Sequence, residues 1–231
     1  MKVFAISDLH LSINNPKPMD IFGPVWDNYV DDIIADWKAK VTEEDVVLLA
    51  GDLSWAMKLS EAEADIEVIS ELPGKKIIIR GNHDFWWESI KNVRSRLGEN
   101  MFALQNDAIK IGNCVFAGTR GWMVPNGPYA EGTHNKKIFD REYLRLEMCL
   151  NAAKKLQKEG DKLICMIHYP PFNNKKENST YTELIEKFGV DIVVYGHLHA
   201  IKTFELAFVK NGVKYYLTSC DLLENKLTEV K

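Results

Sequence analysis

The chain has no apolar run approaching the roughly 18–20 residues of a membrane-spanning helix, so no spanning helix and no membrane partner are expected. Its first residues, Met1-Lys2-Val3-Phe4-Ala5-Ile6, are too short an apolar stretch for a secretory signal, and Asp8 and His10 follow at once. Cysteine is scarce: Cys114, Cys149, Cys165 and Cys220 are scattered, with no C-x-x-C pair. That pattern offers neither a disulfide framework nor a cysteine-ligated structural zinc. All but Cys220 stand in apolar surroundings and read as buried free thiols of a reducing cytoplasm, the expected compartment. A basic excess is missing too. Lys and Arg number 29 against 33 Asp and Glu, a net charge of −4, so there is no electrostatic footprint for nucleic acid or an anionic membrane. A nucleotide substrate stays open, because bound metal ions would supply the missing positive charge. Internal repeats and low-complexity segments are also absent.

What is present is a core. The 231 residues are 46% hydrophobic, enough to fill one domain spanning 1–231. Short apolar runs at Val3–Ile6, Val46–Ala50, Lys76–Ile79, Leu163–Ile167 and Ile192–Tyr195 read as buried strands. Trp26, Tyr29, Val30, Ile33, Ile34 and Trp37 recur at helical spacing, with aspartates on the other face. Ser60-Glu61-Ala62-Glu63 matches a capping box and opens a helix to about Leu72. Asp140 is placed to cap a long helix to Lys158, with Leu144, Met148, Leu150, Ala153 and Leu156 mostly on one stripe. Thr180–Phe188 reads as a short helix. Phe85-Trp86-Trp87 leads into a helix through Leu97, and the paired tryptophans fit a substrate platform or loop packing equally well. Gly112-Asn113 and Asn211-Gly212 mark hairpins within 108–118 and 204–218. Residues 12–25 and 119–137 are loops long enough to line a site.

The ends of the five strands carry the chemistry. In order they present Asp8 and His10; Asp52; Asn82, His83 and Asp84; His168; His197 and His199. Five of the six histidines belong to this set, and only His134 stands outside it. Histidines placed for packing have no reason to gather at strand ends, where open α/β sheets bind their ligands. Imidazole together with carboxylate suits first-row divalent metals. Asp8 and His10 are two residues apart, as are His197 and His199, so each pair shares one side of an extended strand end. So many donors exceed one tetrahedral ion and suit two ions about 3.5–4 Å apart with a bridging carboxylate. Asp52, the lone carboxylate on a central strand, is the natural bridge. Gly81 lets the chain turn where a side chain would clash.

With Asp8-x-His10, Gly51-Asp52, Gly81-Asn82-His83-Asp84, His168 and Gly196-His197-Leu198-His199 in this order, the sequence resembles the calcineurin-like metallophosphoesterase superfamily, in its small bacterial-type phosphohydrolase branch. The resemblance implies an α/β fold, a four-layer αββα sandwich of two mixed β-sheets flanked by helices. It implies two divalent ions, manganese first, with iron, zinc, cobalt or nickel as alternatives. Asp8, His10 and His199 would hold one ion with bridging Asp52, and Asn82, His168 and His197 the other. His83 would face the substrate as a catalytic group, with Asp84 fixing its orientation. The implied activity is hydrolysis of a small phosphodiester or phosphomonoester, possible nucleotides included, by a hydroxide bridging the ions. No protein partner is inferred. After Gly51-Asp52 the chain runs Leu53-Ser54-Trp55-Ala56 rather than the V-D-R-G of protein phosphatases, which argues against phosphoprotein substrates. Arg120 is a secondary candidate for clamping a phosphate, with a surface salt bridge as its other reading. A non-catalytic interaction platform on the same scaffold competes with the enzyme, and the intact ligand set speaks against it.

Overall fold

The computed structural model describes residues 1–129, 132–200 and 205–231. Its central strands are continuous apolar runs because both of their faces are covered. In β1 (Val3–Ile6) and β2 (Val46–Leu49), side chains alternate between two cores. Val3, Ala5, Val46 and Leu48 enter one; Phe4, Ile6, Val47 and Leu49 enter the other. β3 (Lys75–Ile79) and β4 (Met101–Leu104) extend the same parallel sheet. The second sheet holds β5 (Asp107–Ile111), β6 (Cys114–Thr119), β7 (Lys162–Ile167), β8 (Ile192–Tyr195), β9 (Ala207–Lys210) and β10 (Val213–Leu217). Its order is β5-β6-β7-β8-β10-β9, parallel from β6 to β10, with an antiparallel strand at each edge. A short β11 (Thr228–Glu229) returns to the first sheet, antiparallel to β1.

Ile77 and Ile79 of the first sheet face Phe116, Ile164, Met166, Ile192 and Val194 of the second in a shared core. Each such side chain contributes about 1.5–3 kcal/mol when it leaves water. On the outer face of the first sheet pack α1 (Tyr29–Lys40), α2 (Leu59–Ser70) and α3 (Ile90–Arg94). Outside the second pack α4 (His134–Leu156) and α5 (Thr180–Lys187). The result is the αββα sandwich that the resemblance implied. No helix among the described residues is long and apolar enough to cross a membrane.

Several details differ from the sequence reading. Trp26 belongs to a 3₁₀ turn, Pro24–Trp26, and α1 begins only at Tyr29, after a left-handed Asn28. No capping box forms at Ser60: α2 already starts at Leu59, and the Glu61 carboxylate accepts from the Met57 N–H at 3.1 Å. α4 starts well before Asp140, capped by the Thr133 hydroxyl, which accepts from the Lys136 N–H. Asp140 instead pairs with Lys136 one turn back, at 2.6 Å. Leu144 and Met148 face solvent, and the buried stripe is Glu142, Leu146, Cys149, Leu150 and Ala153. The acidic member at its head disguised its phase. α3 ends at Arg94 rather than Leu97, and β4 has no counterpart in the sequence reading. Cys220 is buried like the other three thiols, and all four are free. Phe204, and residues 130–131 of the 119–137 loop, lie outside the described residues.

Lys76 is fully buried between the first sheet and the end of α2. Its ammonium donates to the carbonyls of Ser70 (3.0 Å), Gly74 (3.0 Å) and Leu72. A cation there complements the helix dipole and satisfies carbonyls that the helix leaves over. Lys76→Met keeps the apolar stem and strips all three bonds. Urea denaturation is expected to show a loss of about 2–3 kcal/mol, with activity per folded molecule unchanged.

Candidate metal centre

The carboxyl ends of β1, β2 and β3 meet those of β7 and β8 at one edge of the sandwich. Backbone bonds join the sheets there. The Ser7 N–H donates to Thr218 O at 2.7 Å and the Cys220 N–H to Ser7 O at 3.0 Å. Just beyond, Asp8, His10, Asp52 and His197 adopt φ of 58°, 48°, 54° and 73°. Non-glycine residues held in the left-handed region cost about 1–3 kcal/mol each and gather at functional sites. Cross-links hold them. Asp8 N–H donates to Gly51 O and His10 N–H to Asp52 O, both at 3.0 Å, and His197 N–H to the Asp8 carboxylate at 3.0 Å. Gly81 is needed for close approach: a Cβ there would overlap the Asp52 carboxylate and backbone nitrogen.

Asp84 ties two of these turns together. It accepts from the N–H groups of Asp52 (2.9 Å), Leu53 (2.9 Å), Ser54 (3.2 Å) and Gly81 (2.7 Å), and from Trp86 Nε1 (2.9 Å). The expected orientation of His83 by Asp84 is therefore corrected. Both carboxylate oxygens are engaged with backbone and indole, not with the imidazole. Burial, and Asp52 beside it, push the Asp84 carboxyl up to about 6, with the donors pulling the other way. Trp86 and Trp87 are buried, and Trp87 Nε1 donates to Gln105 Oε1 at 2.7 Å, so the pair packs the loop.

The structure brings the seven candidate ligands together. Asp8 Oδ1 lies 3.7 Å from His199 Nε2 and 4.0 Å from His168 Nδ1. His168 Nε2 lies 2.8 Å from Asn82 Oδ1 and 3.4 Å from Asp52 Oδ2. His197 Nδ1 approaches the same Asn82 oxygen at 2.8 Å. One donor atom each from Asp8, His10 and His199 fall within 4.8 Å of one another, and so do those of Asp8, Asp52 and His168. Asp8 is common to both groups. Burial drives the His10 imidazole down to about 3, and burial with neighbouring His168 does the same to His197, so both are neutral. Burial also raises Asp8. At His168 burial opposes the charge, but Asp52 and Asp8 outweigh it and push the ring up to about 9. Asp52 is held low by His168 in spite of its burial.

These residues fit a divalent cation. The His168 Nδ1 donates to Ala50 O at 2.9 Å, and Nε2 faces two oxygens, Asn82 Oδ1 and Asp52 Oδ2. In the metal-free chain the ring, pushed up to about 9, carries the proton that joins them, and a cation would take that proton's place. Acceptors facing acceptors repel unless a proton or a cation lies among them. His10 Nδ1 is buried with no hydrogen-bond partner at all. Nitrogen and oxygen donors without thiolate suit a borderline or hard ion.

The sequence pattern of calcineurin-like phosphoesterases matches residues 1–200. The chain belongs to this family. It is accordingly a metal-dependent phosphohydrolase. Among solved structures, a protein of unknown function from Aquifex aeolicus shares the fold, with a TM-score of 0.51 at 14% identity over 99% of this chain and 95% of its own. A novel archaeal phosphodiesterase gives a TM-score of 0.43 at 15% identity, over 100% of this chain and 99% of its own. No curated protein matches the chain.

Two residues of this calcineurin-like phosphoesterase escaped the sequence reading. Asp221 Oδ1 lies 2.9 Å from His199 Nδ1, and its Oδ2 accepts from the Ala200 N–H at 3.0 Å. A carboxylate behind an imidazole fixes its tautomer, here leaving Nε2 toward Asp8. Nothing around Asp221 in the sequence signals this. Trp55 stacks on His10, with ring centroids 4.6 Å apart at 21°, and lies 4.6 Å from the His83 ring. Its signal was the departure from V-D-R-G after Gly51-Asp52. Together His10, His83, His199 and Asp221 open on a cleft of about 560 Å³, walled by Trp55, Trp26 and Leu222 and by Met19, Phe22 and Val25 of the 12–25 loop. Asn126 and Tyr129 of the 119–137 loop line a different groove, of about 660 Å³, against α4 and α5.

Proposed function

We propose that this chain hydrolyses a small phosphoester with two divalent ions, the ester's organic group lying in the apolar cleft beside His10 and His83. The observation that carries this reading is the convergence of the nitrogen and oxygen donor atoms of Asp8, His10, Asp52, Asn82, His168, His197 and His199 next to an aromatic-walled cleft. Asp8, His10 and His199 would hold one ion, and Asn82, His168 and His197 the other. Asp52, whose Oδ1 accepts from the His83 N–H at 2.7 Å, would be shared between them. Manganese is the first choice for a donor set of imidazole, carboxylate and amide. Bound divalent ions supply Lewis-acid charge and bring the pKa of a water to about 7.

The chain's own groups do the rest. His83 is backed by Trp55 at 4.6 Å and by Phe85 at 6.3 Å, and it gives a proton to the leaving oxygen. Trp26 and Trp55 offer flat apolar surface that suits a nucleobase or another ring. Protein purified without chelator is expected to carry about two ions per chain. It is expected to hydrolyse bis-p-nitrophenyl phosphate or p-nitrophenyl phosphate, to stop with chelator and to recover with manganese. Fewer than one ion, with no activity under any divalent metal, would favour the interaction platform instead.

A further inference from the structure

Beside the metal centre lies a second pocket, of about 210 Å³, that the hydrolytic site does not use. Its walls carry Arg80, Arg120, Arg141 and Arg145, with Glu142 among them and the polar side chains of Gln105 and Asn106 at its edge. Glu142 is fully buried. One of its oxygens, Oε1, takes Arg145 at 2.8 Å, Arg141 at 2.9 Å and Arg120 at 3.5 Å, while Oε2 has no partner. Arg80 makes no ion pair among the described residues, and the buried Nε atoms of Arg80 and Arg120 have no hydrogen-bond partner. Three guanidinium groups thus share one carboxylate, a fourth stands beside them without one, and the Nε–H donors of Arg80 and Arg120 are unspent. Arginines gathered this closely repel one another unless an anion sits between them. Glu142 splays three of them from below without neutralising the set.

The pocket's size and place narrow the ligand. Guanidinium forks match the oxygens of a phosphate, and several of them together suit a dianion. At about 30 Å³ per water, the space of about 210 Å³ holds a phosphate with a few waters. Arg80 is two residues from Asn82, which keeps their Cα atoms within about 7–8 Å. The Arg120 carbonyl accepts from the N–H groups of His168 (3.0 Å) and Tyr169 (3.2 Å). The pocket therefore adjoins the Asn82 and His168 side of the centre, whereas the apolar cleft adjoins the His10 and His199 side. We propose that this pocket binds a phosphate group of the substrate other than the one hydrolysed, so that preferred substrates carry at least two phosphate groups. This rests on the phosphoester reading of the neighbouring centre.

Calorimetric titration with inorganic phosphate, on protein stripped of metal, tests the pocket by itself. One phosphate site is expected, weakened about tenfold or more in Arg80→Gln and in Arg145→Gln, with circular dichroism confirming that both variants fold. No binding, or binding that neither variant weakens, overturns the proposal. In the manganese-loaded enzyme, a nucleoside diphosphate is expected to show a KM about tenfold below that of the matching monophosphate, and Arg145→Gln to erase the difference. Equal KM values, with free phosphate changing the rate on bis-p-nitrophenyl phosphate, would make the pocket a site for free phosphate and overturn the substrate assignment. Arginine-dependent phosphate binding in a protein that hydrolyses no ester would keep the anion site and sink the hydrolase reading.

Discussion

Asp52→Asn is expected to strip most of the metal from the protein and to lower hydrolysis by about 10³-fold or more. The asparagine amide is nearly isosteric, and its oxygen can still accept from the His83 N–H. Its NH₂ group would take the place of Oδ2 and point a donor at His168 Nε2, 3.4 Å away in the native chain. The same change thus removes a bridging anion and the counter-charge of the His168 ring. Metal-free Asp52→Asn is expected to melt below the metal-free parent, because Asp52 and the His168 ring hold each other charged in the folded chain and the substitution breaks that buried pair. Metal content by elemental analysis, beside melting of the stripped proteins, reads both effects. A fully loaded, active variant would remove Asp52 from the bridge.

His83→Ala is expected to separate rate from metal. The His83 ring touches Trp55, His10 and Phe85, while its backbone N–H holds Asp52. Alanine keeps the backbone bond, so both ions should stay. Loss of a proton donor lowers the rate by about 10²–10⁴-fold. The loss should be greater for an alkyl ester than for a p-nitrophenyl ester, because nitrophenolate leaves without help. Equal loss of metal and rate would make His83 a ligand. Equal loss on both esters would leave it only a wall of the cleft.

The central strands and the cluster of candidate ligands at their ends could be read from the sequence for one physical reason. A strand covered on both faces is a plain apolar run, and polar groups that follow it stand out, as at Ile77-Ile78-Ile79 before Asn82. What could not be read depends on contacts between distant segments. Asp84 follows His83 in sequence, which suggested a local pair, yet it bonds residues 52–54 across the turn. Asp221 meets His199 only because β10 places it beside the end of β8. The phase of α4 was misread because Glu142, a charged residue, occupies a core position under three arginines. Met101–Leu104 is a four-residue run with neither a metal-binding motif nor a two-residue turn signal after it, so nothing in the sequence set it apart as a strand. Arg120 was noticed, but its companions Arg80, Arg141 and Arg145 come from separate segments and are gathered only by folding.

The spread of the ligands along the chain has a bearing on synthesis. Asp8 leaves the ribosome some two hundred residues ahead of His199 and its partner Asp221. β1 cannot join the second sheet through Ser7 until Thr218 and Cys220 exist. No nascent chain short of that point holds the complete cluster, so its members come together in one step, only once Asp221 has been made. Until then the early aspartate and histidine stand ready for a cation with only part of their cage built.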